Sequence, residues 1–261
     1  IRRYVHVGTG NYHSGTARVY EDLGILSCDP ELSTEVTAVF NELTSATPYE
    51  GYNALLVAPR TMRRRFVELI RREAANAAAG LSSGIRAKMN QLQDEKMISE
   101  LYAASQAGVP ISLNVRGMCC LRAGVPGLSE NIRVFSVLGR FLEHARIYRF
   151  ENAGEPEFFI GSADWMRRNL DSRMEAIMPV FNEGIQAELE HILEVLESDN
   201  ITAWEMQPDS RYLRREPAEG EEPRPSQERF IAEAKKVAKH TKARLRAGNP
   251  PSVESAQVGS E

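Results

Sequence analysis

The sequence predicts an α/β fold, with helices flanking mixed sheets, on three observations. Short apolar runs closed by Gly or Pro alternate with longer runs of helical periodicity. Two of the short runs, near residues 4–8 and 158–161, end in the same kind of glycine turn. Of 261 residues, 42% are hydrophobic and 26% charged, the balance of a soluble globular protein.

The elements follow in order. Residues 3–7 form a strand that ends at Gly8-Thr9-Gly10-Asn11, and a second apolar run covers 23–26. Spacing predicts a helix over 34–43, capped by Ser33 or Thr34. Residues 48–53 are a turn-rich connector, and 54–58 a buried strand closed by Pro59. A long Arg- and Ala-rich helix over 62–79 stops at Gly80. Then come a strand at 85–89, a helix at 94–107 stopped by Gly108, and strands at 109–115 and 132–137. The runs 140–150 and 158–161 are strand-like, 173–180 is a further strand, and 182–196 is a helix with a stripe of Ile185, Leu189, Ile192 and Leu196. Beyond Trp204, a charged, proline-rich stretch at 208–225 precedes a basic helix candidate at 229–246. That tail has little apolar content and is expected to be largely disordered.

Several function classes are disfavoured. A net charge of -4 gives no general nucleic-acid signal. Three cysteines, two of them vicinal (Cys119, Cys120), make neither a disulfide framework nor a zinc pattern, and they fit a cytoplasmic setting. No apolar run is long enough for a transmembrane segment. The chain begins in mid-strand without an initiator methionine, and we expect a fragment whose first strand has partners upstream.

Chemistry concentrates near residue 144. On a strand, His144 and Arg146 would point to one face, and the following run ends in Gly161-Ser162. Imidazole, guanidinium and the amides and hydroxyl of the turn together suit a phosphate pocket with a nitrogen base in it. Unperturbed, an imidazole changes charge near neutral pH, so His144 is the expected proton-handling group. Arg116, at a strand end before Gly117, is placed to bind phosphate oxygens, with a salt bridge to Glu130 or Glu143 as the alternative. Arg173 has the same two alternatives. Asp22 is expected to orient a basic neighbour, and His6 either lines or buttresses the site. His13, His191, His240 and the Arg63-Arg64-Arg65 run read as surface groups.

The chain also carries an internal repeat. The run Tyr4 to Tyr12 and the run Phe158 to Trp165 each give an apolar strand, Gly, a hydroxyl residue, a small residue, an amide or acid, and an aromatic. An arginine-bearing segment and another apolar strand follow each. Duplication implies two similar halves facing one another across a site.

A His-x-Lys/Arg pair followed by Gly-Ser-x-Asn/Asp resembles the phospholipase D superfamily. Longer motifs narrow this: Arg3-Tyr-Val-His-Val-Gly-Thr-Gly-Asn-Tyr12, Leu113-Asn-Val-Arg-Gly-Met-Cys-Cys-Leu121, Pro126-Gly-Leu-Ser-Glu-Asn-Ile-Arg133, Arg140-Phe-Leu-Glu-His144 and Ser162-Ala-Asp-Trp-Met166. To about residue 200 the chain resembles the C-terminal region of the phospholipase D-like polyphosphate kinase family. The resemblance implies two phospholipase D-like mixed-sheet domains, the first truncated at its N-terminus. Residues 1–53 would end the first, 54–205 form the second, and 206–261 the tail.

It further implies reversible transfer of the terminal phosphate of ATP to inorganic polyphosphate, through a phosphohistidine upstream of Ile1. Nucleotide contacts carry over to Tyr20, Arg116 and His144, with Arg146 and Arg173 as further phosphate ligands and Asp22, His6 and Ser162 in support. Tyr20 would donate its hydroxyl to phosphate or stack on adenine. Mg2+ would accompany ATP, held by family residues outside this chain, which itself offers no metal ligands. ATP, ADP and polyphosphate are the implied partners of a full-length homo-oligomer, cytoplasmic or peripheral to the inner membrane. The alternatives are a phospholipase D-like phosphodiesterase or nuclease, and a phosphate-binding fragment inactive in isolation.

Overall fold

A computed structural model describes residues 2–45 and 48–246, with side chains as far as residue 241. In chain order the strands are β1 (Val5–Gly8), β2 (Tyr20–Glu21), β3 (Gly24–Ser27), β4 (Leu56–Ala58), β5 (Ile85–Met89), β6 (Ile111–Val115) and β7 (Ile132–Val137). They continue as β8 (Leu142–Glu143), β9 (Ile147–Phe150), β10 (Glu157–Gly161), β11 (Glu175–Val180), β12 (Ala203–Met206) and β13 (Tyr212–Arg214). The helices are α1 (Pro30–Ser45), α2 (Met62–Ala78), α3 (Glu95–Gln106), α4 (Arg167–Asp171), α5 (Glu183–Glu197) and α6 (Ser226–Arg246).

Nine strands make one mixed sheet, in the order β13-β12-β7-β6-β5-β9-β10-β11-β4. Its centre, β5-β6-β7, is parallel, and α3 is the crossover from β5 to β6. The outer pairings are antiparallel. Strands covered on both faces must be apolar on both, which explains the near-continuous hydrophobic runs. On one face, Met62, Phe66 and Ile70 of α2 and Met97 and Leu101 of α3 pack over Leu113, Tyr148 and Trp165. On the other, Leu189 and Leu193 of α5 cover Ile147, Phe158 and Val180.

Local chemistry sets the helix ends. Asp94 accepts from Met97 N at 3.1 Å and Asn182 from Ile185 N at 3.0 Å, each capping a helix. Gly80 and Gly108, with φ of 72° and 94°, follow α2 and α3 in the left-handed region that glycine adopts without strain.

The N-terminal part is smaller. β1 pairs antiparallel with β3, and α1 packs Leu32 against Tyr52, Leu55, Val57 and Met178. β2 leaves that unit and pairs in parallel with β8, placing Glu21 opposite Glu143.

The mixed-sheet α/β class stands, with four local corrections. The cap of α1 is Asp29, which accepts from Leu32 N at 2.9 Å, and Pro30 begins the helix; the Ser33 and Thr34 hydroxyls instead bond back to Pro30 O. Residues 140–150 are not one strand, because the chain leaves β8 and enters the large sheet only at β9. His144 and Arg146 therefore lie in the connection. Within 206–246, the expected disorder gives way to ordered structure: β13 pairs with β12, and α6 is held at its start by the buried Asp199, which accepts from Ser226 N and Oγ at 2.8 and 2.7 Å. Arg63 is not simply solvated but bonds Asp94 at 2.6 Å and also Asp171. Residues 247–261 of the expected tail lie outside the described residues. No described helix is long and apolar enough to cross a membrane.

Candidate functional site

The centre of the site is a short β2–β8 ladder that brings Asp22 beside His144. Nδ1 of His144 donates to Asp22 Oδ1 at 2.8 Å, and the Thr9 hydroxyl donates to the same oxygen at 2.8 Å. Burial works to raise the Asp22 pKa, but these two hydrogen bonds, with the charges of His144 and Arg146, outweigh it and hold the carboxyl below its usual range. An ionised acceptor on Nδ1 fixes the proton there and leaves Nε2 as the exchangeable nitrogen. The Tyr20 ring lies against the imidazole, with centroids 4.8 Å apart.

Arg146 is 7% exposed and fully engaged. Nε and Nη2 reach the two oxygens of Asp164, each at 3.2 Å, and Nη1 donates to Thr9 O at 2.9 Å and His144 O at 2.8 Å. Nη1 is also 3.2–3.3 Å from both ring nitrogens of His144, and so sits across the ring rather than in line with either. The expected convergence of His144 and Arg146 is present, but the guanidinium points into protein acceptors and not toward a free phosphate position.

Asn90, at the end of β5, links these groups. Its N–H donates to Asp164 at 2.7 Å, its amide to His144 O at 3.3 Å, and its Oδ1 accepts from Arg116 Nε at 2.9 Å. The salt bridges considered for Arg116 are absent among the described residues, and both its Nη groups lack a protein partner there. An anchored guanidinium with two open donor groups suits phosphate oxygens.

A second cluster sits at the Gly161 turn. Ser162 Oγ donates to Glu175, which also accepts from Asn169, while Arg173, half exposed, lies 3.9 Å from the same carboxylate. The Ser162 N–H donates to Ala176 O at 3.2 Å, so this amide is not available to an anion as expected. Gly161 is required by close approach, since a Cβ there would lie 2.1 Å from Ala176 O.

The two clusters are copies. Thr9 N donates to Leu23 O as Ser162 N does to Ala176 O, and Thr9 bonds Asp22 as Ser162 bonds Glu175, 13 residues on in each case. Glu175 was not singled out from sequence, although that equal spacing was a readable signal. Asn90 and Asp164 had no such signal, being joined only by the fold.

His6 is not drawn into the site; its Nδ1 pairs with the Tyr12 hydroxyl. His191 pairs with Glu233 at 3.0 Å. Burial pushes the Cys119 thiol up to about 11, an unreactive state, whereas Cys120 is exposed. A cavity of about 1200 Å³, lined in part by Ile25, Asp29 and Phe181, contains none of the paired groups, so the chemistry points to His144 instead. Among the described residues no group of three or more His, Cys, Asp or Glu is arranged to hold a metal ion, and the Asp22 and Asp164 carboxylates are already engaged. Around His144 the described residues therefore leave no free carboxylate for magnesium.

Comparison with known proteins places the chain in a family. Residues 1–49 match the family model of polyphosphate kinase C-terminal domain 1, and residues 55–227 that of C-terminal domain 2. The polyphosphate kinase of Synechocystis sp. is 54% identical over 234 residues, 90% of this chain and 32% of that protein. That of Thermosynechococcus vestitus is 56% identical over 221 residues, 85% and 30%. The crystal structure of polyphosphate kinase from Porphyromonas gingivalis superposes with a TM-score of 0.87 at 36% identity, covering 92% of this chain and 37% of that one. The chain spans about a third of the length of the curated relatives it matches. It belongs to the polyphosphate kinase family and matches the models of that family's C-terminal domains 1 and 2.

Proposed function

We propose that the full-length protein is a polyphosphate kinase that reversibly transfers the terminal phosphate of ATP to inorganic polyphosphate, and that this chain supplies the proton-handling half of the site. The observation that carries the reading is the Asp22–His144 pair, with Tyr20 against the imidazole and the open Nη groups of Arg116 reached through Asn90.

In the forward direction a histidine nitrogen from the upstream segment forms a bond to the terminal phosphorus. The bond to the bridging oxygen breaks, and its electron pair leaves with ADP. His144 Nε2 gives a proton to that oxygen and takes one back in reverse, while Asp22 holds Nδ1–H and balances the imidazolium. Arg116 meets charge on the phosphate oxygens, where a loose transition state most needs it. Arg146 holds His144 and Thr9 in place rather than binding substrate. Tyr20 packs beside the nucleotide, Arg173 stands at the phosphate path, and Glu175 with Ser162 does for the upstream histidine what Asp22 with Thr9 does for His144. His6 has no place in these steps beyond buttressing β1. Mg2+ would accompany ATP and offset charge on its phosphates. The first domain ends at residue 53 and the second spans 54–205, and the full-length protein is a homo-oligomer in the cytoplasm or peripheral to the inner membrane.

The test is to supply the full-length protein with Mg-ATP and separately with a phosphodiester, and to follow polyphosphate and diester products. ATP-dependent polyphosphate is expected. Diester cleavage without polyphosphate synthesis would replace this reading with a phospholipase D-like hydrolase.

A further inference from the structure

Beneath the Asp22–His144 pair lies a charged cluster that the proposed chemistry does not use. Lys88, on β5, is 2% exposed. Its Nζ donates to Glu21 Oε2 at 3.0 Å and Ala145 O at 3.2 Å and lies 3.1 Å from Glu143 Oε2, so all three ammonium donors are occupied. Glu21 and Glu143 face each other in the β2–β8 ladder, and each is followed at once by a site residue, Asp22 and His144. In both strands, then, one side chain turns down to Lys88 and the next joins the site. The ladder is only two residue pairs long, too short to fix its own register. Two backbone bonds join the strands, Leu142 N–H to Val19 O at 2.8 Å and His144 N–H to Glu21 O at 3.1 Å, and a single buried cation gripping both side chains adds to them.

The grip extends to α6. The Gln227 amide brackets Phe141, accepting from its N–H at 2.9 Å and donating to its carbonyl at 2.8 Å, and donates its remaining hydrogen to Glu143 Oε1 at 2.7 Å. Every polar atom of that amide is engaged, which fixes its orientation. Two carboxylates around one ammonium leave an excess of negative charge in a buried space. Burial holds the Glu143 carboxyl above the ordinary glutamate range, with the Glu21 charge adding to it against the pull of Lys88. The neutral amide of Gln227 satisfies Glu143 without adding charge.

We propose that Lys88, Glu143 and Gln227 are positioning residues of the site: the ammonium clamps the two strands that present Asp22 and His144, and Gln227 ties that clamp to α6. The clamp acts through the proton-handling pair, so its kinetic signature rests on the polyphosphate kinase reading, while its structural signature does not.

The experiment uses the full-length protein with Lys88→Met, Gln227→Leu and Gln227→Glu. Misplacing a reacting group by about 1 Å costs on the order of 10²-fold in rate, so Lys88→Met is expected to lose about that much kcat with the KM for ATP within about threefold. Lys88→Met leaves two carboxylates buried without their cation and is the variant most exposed to misfolding. Gln227→Leu, at the root of a docked helix, is the milder probe and is expected to lose about tenfold in kcat at unchanged KM. Gln227→Glu adds a carboxyl facing Glu143, with Lys88 and Glu21 behind it. Its kcat relative to wild type should recover as pH falls from 8 toward 5.5, where a protonated carboxyl can donate to Glu143, whereas Gln227→Leu shows no such recovery.

A crystal structure of full-length Gln227→Leu gives a readout independent of turnover: Asp22 and His144 should separate beyond 3.5 Å or the imidazole should rotate. Folded variants with wild-type kcat, or a Gln227→Leu structure with the pair still at 2.8 Å, overturn the clamp and leave the functional reading standing. An inactive wild-type protein with the pair displaced in Gln227→Leu supports the clamp and removes the functional reading.

Discussion

The Asp22 carboxylate accepts a 2.8 Å hydrogen bond from Nδ1 of His144 across 122 residues of sequence. The two residues come from different family domains, so neither half of the chain contains the pair alone. A carboxylate on Nδ1 both selects the tautomer and stabilises the imidazolium. Asp22→Asn keeps the shape but removes the charge, and we expect kcat of the full-length protein to fall by about 10²-fold or more. Steady-state synthesis rates at saturating ATP check this, and a loss confined to KM would contradict it.

The same pair sets an acid limit. Hydrogen bonds and nearby positive charges lower the folded pKa of Asp22 in spite of burial. A group so lowered contributes stability above its unfolded value, near about 3.9, and loses that contribution as pH falls through the lower folded value. Asp22→Asn should therefore flatten the acid limb of the unfolding curve below about pH 4. Thermal melts of wild type and variant across pH 2.5–8 would show whether the difference closes toward acid as expected.

Among the described residues the Arg116 guanidinium is held by one bond, Nε to Asn90, with its Nη donors open. Arg116→Ala should cost about 10- to 100-fold in kcat/KM for ATP, and Arg116→Lys should recover little, since an ammonium has neither the planar fork nor the Asn90 anchor. Nucleotide titration and turnover measured on both variants decide the point. Full rescue by lysine would mean that charge alone matters there.

Gly161 tests the turn that carries Ser162. A methyl group at that position meets the Ala176 carbonyl at 2.1 Å, and the obstacle is backbone, not a side chain that can swing away. Gly161→Ala should destabilise the protein by about 1–3 kcal/mol, seen as a lower denaturation midpoint with the same m-value. An unchanged midpoint would mean that β10 and β11 part easily.

Asp199 anchors the start of α6. It is fully buried and accepts from the N–H groups of Ile201, Thr202, Ala203 and Ser226 as well as the Thr202 and Ser226 hydroxyls. Asp199→Ala leaves several of these donors unsatisfied and should cost about 2–4 kcal/mol. If α6 also steadies Glu143 through Gln227, the variant loses kcat as well as stability. Hydrogen exchange at Ser226 and Gln227 would report the release directly.

Much of this was legible in the sequence, for identifiable reasons. Local signals served well: the apolar runs of β5, β6 and β11, the Gly80 and Gly108 stops, and the repeat that maps Gly8-Thr9 onto Gly161-Ser162. Long-range chemistry was harder. Arg146 reads as a phosphate ligand by composition, yet Asp164, Thr9 and His144 already occupy its guanidinium. The sequence offers a helix over 229–246 but not its place or the order of β13, because β13 owes its place to pairing with β12, and α6 to Asp199; neither partner lies in the charged segment that suggested disorder. Lys88 is one basic residue on an apolar strand, and only the fold brings two glutamates to it.

The most direct test of the central claim is the turnover of full-length His144→Ala with Mg-ATP, measured beside wild type as polyphosphate formed per unit time. With the variant folded, as judged by an unchanged melting transition, the account predicts that wild type makes polyphosphate and that the variant's kcat is lower by about 10²- to 10⁴-fold. Equal rates in the two proteins would contradict it.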